Sequence, residues 1–339
     1  MEPRWSRDEE LLYFPTVSDR WFKFLYLLLL KQHMKKIMLG KTNIQVPNIV
    51  VGCMRINSLS RKEMNSFIHT AIDNGANYFD HADIYGAGEC ESMFGEALKG
   101  NSSIKRENII LQSKCGIRKG YFDFSKEYIV NSVDGILKRL NTEYLDVFLL
   151  HRPDALMEPE EIAEAFEILQ SSGKVKHFGV SNQNPMQIQL LKKYIKQDIV
   201  VNQLQFSIAV SNMVASGLEV NMSTDGAINR DGSVLDFCRL NDITIQAWSA
   251  FQMPNWEGCF IGSEKYPELN NQLTLLAKKY DATETTIAAS WILRHPAKMQ
   301  AICGTTNESR LKEIISASEI NLTREEWYSL YISAGHILP

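Results

Sequence analysis

Residues 125–182, SKEYIVNSVDGILKRLNTEYLDVFLLHRPDALMEPEEIAEAFEILQSSGKVKHFGVSN, read as helix, strand, helix, strand. Ser125 stands where a helix cap is needed, and Ile129, Val133, Ile136, Leu137 and Leu140 then fall on one helical face. The unbroken apolar run that follows predicts a strand over Leu145–His151, because strands covered on both faces carry nearly continuous apolar residues. Pro159 opens a second helix with Ile162, Ala165, Phe166 and Leu169 at helical spacing, and Gly173 stands past its end. A second strand is predicted over His177–Asn182. Parallel neighbours need crossover connections, so this alternation builds a parallel sheet.

The same alternation extends in both directions. Six further strands are predicted at Ile49–Gly52, Asn77–Asp80, Ile109–Lys114, Val200–Gln203, Ile245–Trp248 and Ala301–Gly304. Eight strand–helix units close into a (β/α)8 TIM barrel, whereas five or six would form an open doubly wound sheet. No G-x-G-x-x-G follows the first strand, which also counts against the open sheet. Ser60 with Glu63, and Thr323 with Glu326, have capping-box spacing, the second opening an additional C-terminal helix.

Of 339 residues, 45% are hydrophobic and 22% charged, a globular composition. The net charge of −4 argues against nucleic acid as the main partner, since neutralising phosphates takes a basic face. Six cysteines without a C-x-x-C pair give neither a zinc site nor a disulfide framework, and point to a reduced, cytoplasmic compartment. No metal site is expected. The barrel is assigned to residues 38–339 and an N-terminal extension to residues 1–37. Trp21–Leu30 is apolar but only about half of the ~20 residues a membrane span needs, and it lacks the flanks of a signal peptide. The extension reads as a peripheral amphipathic segment, an added helix, or upstream sequence before a start at Met34 or Met38; the last is preferred.

Active sites of such barrels lie at the C-terminal strand ends. Those ends carry Asp80, Lys114, His151, Ser181 with Asn182, Gln203, Trp248, and Gly304 with Thr305. Singly, each has an ordinary structural explanation; together they make one convergent site. NYFDHADIYG with Asp80 and Tyr85, LQSKCG with Lys114, LLHRPD with His151, GVSN with Ser181 and Asn182, and NQ with Gln203 resemble the aldo-keto reductase family. DHADIYG, SKCGI, HRPD and the EEW near Trp327 most resemble a bacterial oxidoreductase subgroup of it. The resemblance covers about nine tenths of the chain.

Reducing a carbonyl needs hydride at carbon and a proton at oxygen. A free tyrosine has a pKa near 10, and a neighbouring ammonium stabilises the phenolate and lowers it. The resemblance implies that Tyr85 is the proton donor, that Lys114 is that ammonium, and that Asp80 holds Lys114. His151 either orients the carbonyl oxygen or shares in the proton relay. His81 lines the substrate mouth or faces the helix layer.

The resemblance further implies a nicotinamide cofactor, NADP with NAD allowed. Ser181, Asn182 and Gln203 would bond the carboxamide, and Trp248 would stack on the ring where most members carry tyrosine. Ser249 and Phe251 would lie along the pyrophosphate and ribose. Thr305 precedes a helix whose N-terminus suits a phosphate. Arg310 would grip the 2′-phosphate and Glu313 would face the adenosine. Gly304 and Ile314 depart from the lysine and asparagine of many members, which weakens NADP preference.

Two other functions use the same residues. Lys114 would be a Schiff-base lysine in an aldolase-type barrel, although pairing with Asp80 would keep it non-nucleophilic. A nicotinamide-binding regulatory module would bind tightly and turn over little. The substrate is expected to be a small carbonyl compound, apolar or sugar-like from Met213, Asn221 and Met222 in the loop Phe206–Asp231, and from Met253, Trp256 and Phe260 in the loop Gln252–Tyr266. A monomer is the expectation from the resemblance.

Overall fold

Ser125 accepts a hydrogen bond from the Tyr128 backbone N–H, and the chain turns helical at Lys126. The computed structural model describes residues 34–336, apart from Ser102 and positions 220–224, 226–227 and 229–231. The apolar run Trp21–Leu30, Asn221 and Met222 lie outside the described residues.

Eight parallel strands close a barrel in sequence order. They are β1 (Ile49–Gly52), β2 (Tyr78–Asp80), β3 (Ile110–Cys115), β4 (Leu145–Leu150), β5 (Val175–Ser181), β6 (Ile199–Gln205), β7 (Thr244–Trp248) and β8 (Gln300–Cys303). All eight expected strands are present, their ends displaced by one or two residues. Helices α1 (Arg61–Asp73), α2 (Glu89–Lys99), α3 (Lys126–Leu140), α4 (Pro159–Ser171) and α5 (Pro185–Lys192) follow β1 to β5 in turn. Helices α6 (Asn212–Leu218) and α7 (Val234–Leu240) follow β6, and α8 (Pro267–Tyr280) and α9 (Glu284–Leu293) follow β7. Helix α10 (Glu308–Ser316) follows β8, and α11 (Arg324–Ser333) is the additional C-terminal helix. Both capping boxes are formed, at the starts of α1 and α11.

Strand alternation divides the apolar residues into two layers. Phe79, Leu111, Phe148, Phe178 and Ile245 pack outward against the helices. Val50, Tyr78, Val147, Leu149, Val201 and Ile302 form a smaller inner cluster. Leu39 and Val46 join that inner cluster from an antiparallel hairpin of Lys36–Met38 with Gln45–Pro47. The hairpin lies on both sides of the boundary expected at residue 38. Helix α11 is held by a reciprocal pair: Trp291 Nε1 donates to the Trp327 carbonyl at 3.0 Å and Trp327 Nε1 to that of Trp291 at 2.9 Å.

The inner layer is not wholly apolar. Tyr78 donates to Gln112, Gln112 to Gln246, Gln246 to Gln300 and Gln300 to the Pro47 carbonyl, over 2.6–2.9 Å. Every one of these side chains is buried, and the chain of bonds supplies the partners such groups require. No helix among the described residues is long and apolar enough to cross a membrane. All six cysteines are free thiols.

Candidate active site

Strand pleating puts Asp80 on the inner face of β2 and Lys114 on that of β3, where Asp80 pairs in register with Gln112. Lys114 Nζ donates to both Asp80 oxygens, at 2.7 and 2.8 Å, and to the His81 carbonyl at 2.7 Å. After β2 the chain makes a tight turn over Tyr85–Gly88, with Gly86 and Ala87 at φ 56 and 53. The turn brings Tyr85 above the ammonium, which lies 5.0 Å from its ring centroid. His151 follows β4 and meets the Tyr85 ring edge-on, centroids 6.0 Å apart. The four expected residues are therefore brought together. His81 points the other way: it is fully buried, edge-on to Phe94 at 4.6 Å, and faces the helix layer.

Burial, the largest single influence, pulls the Lys114 ammonium down, but the Asp80 carboxylate and Tyr85 together outweigh it, so its pKa is raised and the charge is retained. Burial pushes the Tyr85 hydroxyl up and outweighs the downward pull of Lys114. Lys114 acts in the expected direction, yet desolvation of the ring leaves Tyr85 above its ordinary range and protonated at neutral pH. Burial, then the charges of Lys114 and Arg152, hold His151 well below its ordinary range as a neutral imidazole. Its Nδ1 is buried without a partner among the described residues. Burial takes His81 down to about 3.

Asp80, Tyr85 and His151 open into a cleft of about 680 Å³ at the C-terminal strand ends, with Lys114 buried beneath. Ser181, Asn182, Gln203, Trp248, Ser249, Phe251, Thr305 and Arg310 line the same cleft. Trp248 Nε1 donates to Asn182 Oδ1 at 3.2 Å, Asn182 Nδ2 to Ser181 Oγ at 2.7 Å, and Ser181 Oγ to the Gln203 carbonyl at 3.0 Å. Gln203 Nε2 reaches Asp80 Oδ1 at 3.2 Å, so hydrogen bonds run from the Trp248 ring to the carboxylate. Glu313 does not line the cleft: its carboxylate accepts from Thr283 at 3.2 Å. Asn307 caps α10 through the Arg310 N–H at 2.9 Å. Gly304 and Ile314 both line the wall, and a Cβ at Gly304 would meet nothing within 4 Å.

Several lining residues were not anticipated. Arg152 stands beside His151 in HRPD, and its guanidinium lies 5.3 Å from the Trp248 ring centroid. Arg55 comes from the loop after β1, a position with no periodic signal. Trp256, by contrast, was expected near the substrate and does line the cleft, stacking on Trp248 at 5.4 Å from a loop pinned where Gln252 pairs with Cys259. Met213, Met253 and Phe260, expected near the substrate, are buried in the core, Met213 on the inner side of α6 and the other two in a segment packed against the core.

Comparison with known proteins makes the chain an oxidoreductase that acts on carbonyl groups. It belongs to the aldo/keto reductase family, whose pattern matches residues 48–332. It is 32% identical to the oxidoreductase YcsN of Bacillus subtilis, over 90% of this chain and 100% of that protein. It is 30% identical to the 6-dehydroglucose reductase of Agrobacterium fabrum, over 86% of this chain and 95% of that protein. It resembles the crystal structure of the thermostable aldo-keto reductase Tm1743 in complex with the inhibitor epalrestat. That likeness has a TM-score of 0.72 at 26% identity, over 88% of this chain and 100% of the other.

Proposed function

We propose that the chain reduces an aldehyde or ketone to the alcohol, with NADP(H) as first cofactor and NAD(H) allowed, and with Tyr85 as proton donor. The observation that carries this is Lys114 Nζ held by both Asp80 oxygens directly beneath the Tyr85 ring, at the floor of the cleft. The cleft suits a dinucleotide: its volume lies within the range of cofactor sites, and Trp248, Asn182 and Gln203 line it together, with an aromatic ring beside two amide groups. Arg310 at its rim has no ion-pair partner among the described residues, which leaves its guanidinium for a phosphate.

When bound, the nicotinamide supplies hydride to the carbonyl carbon. Tyr85 gives its hydroxyl proton to the carbonyl oxygen. Lys114 steadies the phenolate left behind, and Asp80 fixes Lys114 while keeping it charged. His151, neutral, orients the carbonyl oxygen. A Schiff-base role for Lys114 is opposed by its complete burial and its retained charge. Residues 1–37 remain assigned as an extension to the catalytic barrel. A monomer is proposed from the family resemblance, and a reducing cytoplasmic compartment from six cysteines without a C-x-x-C pair.

The test is NADPH and NADH oxidation across a panel of aldehydes and ketones, with alcohol formation measured. Stoichiometric alcohol supports the proposal. Cofactor binding without turnover would favour the regulatory reading, and borohydride trapping of substrate on Lys114 the Schiff-base one.

A further inference from the structure

Among the residues that line the cleft, the charged groups are three arginines and one aspartate, Asp80, whose charge is taken by Lys114. Arg310 lies by the start of α10, the end of the cleft assigned to phosphate. That leaves Arg152 and Arg55. Neither has a carboxylate partner or a side-chain hydrogen bond among the described residues. Arg55 is exposed to solvent, whereas Arg152 is partly withdrawn from water, which is costly for a charge without a partner. Arg152 is half-buried and is contacted by the face of Trp248, which favours a cation but accepts no hydrogen bond from its five N–H donors.

Arg152 also stands at the reacting end of the cleft. It follows His151 directly, and its charge bears on both the His151 and Tyr85 rings. We propose that Arg152, assisted by Arg55, binds a carboxylate carried by the carbonyl substrate, so that the enzyme prefers small oxo acids over neutral aldehydes and ketones. This rests on the carbonyl reduction proposed above. The planar guanidinium fork matches a carboxylate bidentately, and an anion beside Arg152 would give its N–H donors the acceptor that no described residue supplies. Of the loop residues behind the apolar or sugar-like expectation, Met213, Met253 and Phe260 are buried and Trp256 lines the cleft, and the two arginines line it as well.

Two measurements test this. In the first, kcat/KM is compared for 4-carboxybenzaldehyde against 4-methylbenzaldehyde, and for glyceraldehyde 3-phosphate against glyceraldehyde, with the wild type, Arg152→Gln, Arg152→Lys and Arg55→Gln. A charge-assisted bidentate contact predicts about a tenfold or larger advantage for the carboxylate, mostly in KM and weakened by added salt. The advantage should disappear in Arg152→Gln, return in part in Arg152→Lys, and shrink in Arg55→Gln. Equal or lower kcat/KM for the carboxylate in the wild type, or an advantage confined to the phosphate pair, overturns the proposal while carbonyl reduction stands.

The second measurement needs no turnover. Benzoate is titrated against tryptophan fluorescence, since Arg152 lies over Trp248. A saturable change in the wild type that Arg152→Gln abolishes supports the carboxylate site even if no aldehyde is reduced. An unchanged titration in Arg152→Gln, or none in the wild type, overturns it.

Discussion

Gln112 Nε2 donates to Asp80 Oδ1 at 2.6 Å, the same oxygen that receives Lys114 Nζ at 2.7 Å. The carboxylate that fixes the ammonium is thus itself fixed from below by a glutamine of the barrel interior. Gln112 also receives the Tyr78 hydroxyl, so the chain of glutamines ends against the catalytic floor. Replacing it with leucine removes a hydrogen bond to a charged group, worth about 1.5–3 kcal/mol. Gln112→Leu is expected to lower kcat by about tenfold with little change in KM, because Gln112 is buried beneath the cleft and does not line it. Gln112→Glu should be worse, since a second carboxylate would compete for Lys114. Steady-state kinetics of both variants check this.

Asp83 lies two residues before Tyr85, and burial raises its carboxyl from 3.8 to about 6, despite the hydrogen bond from Tyr128 at 3.0 Å. Between those values the folded state binds more protons than the unfolded state, so stability falls as pH rises through this window. Above it, the ionised carboxylate costs the fold on the order of 1–3 kcal/mol. Asp83→Asn should therefore unfold at a higher temperature than the wild type at pH 7.5. The difference should vanish near pH 4. Thermal unfolding of the two proteins across this range gives the comparison.

The end of the cleft proposed for the cofactor phosphates carries one cation among the described lining residues, Arg310, and an open wall at Gly304. A side chain fits there without displacing any atom. Gly304→Lys should raise the ratio of NADPH to NADH efficiency by about tenfold, as one added charge near a phosphate would. Arg310→Ala should lower the same ratio. Cofactor kinetics with one fixed substrate read both.

The fold was legible because its signals are local. The helical face of Ile129 to Leu140 and the run Leu145–Leu150 each report which side is buried, and eight such units admit few closures. The strand-end groups were legible for the same reason, since pleating alone decides that Asp80, Lys114 and Gln203 point inward. The loops were not. Met253 and Phe260 looked like cleft residues and are core, while Trp256, from the same loop, stacks on Trp248. Nothing in a single sequence separates them, because the outcome depends on how the loop folds back. Glu313 illustrates the same limit on a helix: its neighbour Thr283 comes from a distant turn, and that contact holds its carboxylate away from the cleft. The balance of forces on Tyr85 was also hidden, since burial of the ring outweighs Lys114 only once the turn has closed over it.

The central claim is that the Tyr85 hydroxyl supplies the proton. The most direct measurement is kcat of Tyr85→Phe for a carbonyl substrate, with the NADPH dissociation constant measured on the same preparation. The ring remains to pack against His151 and over Lys114, and only the hydroxyl is lost. The expected result is a fall in kcat of about 10²–10⁴ with cofactor affinity retained. Turnover near that of the wild type would contradict the account.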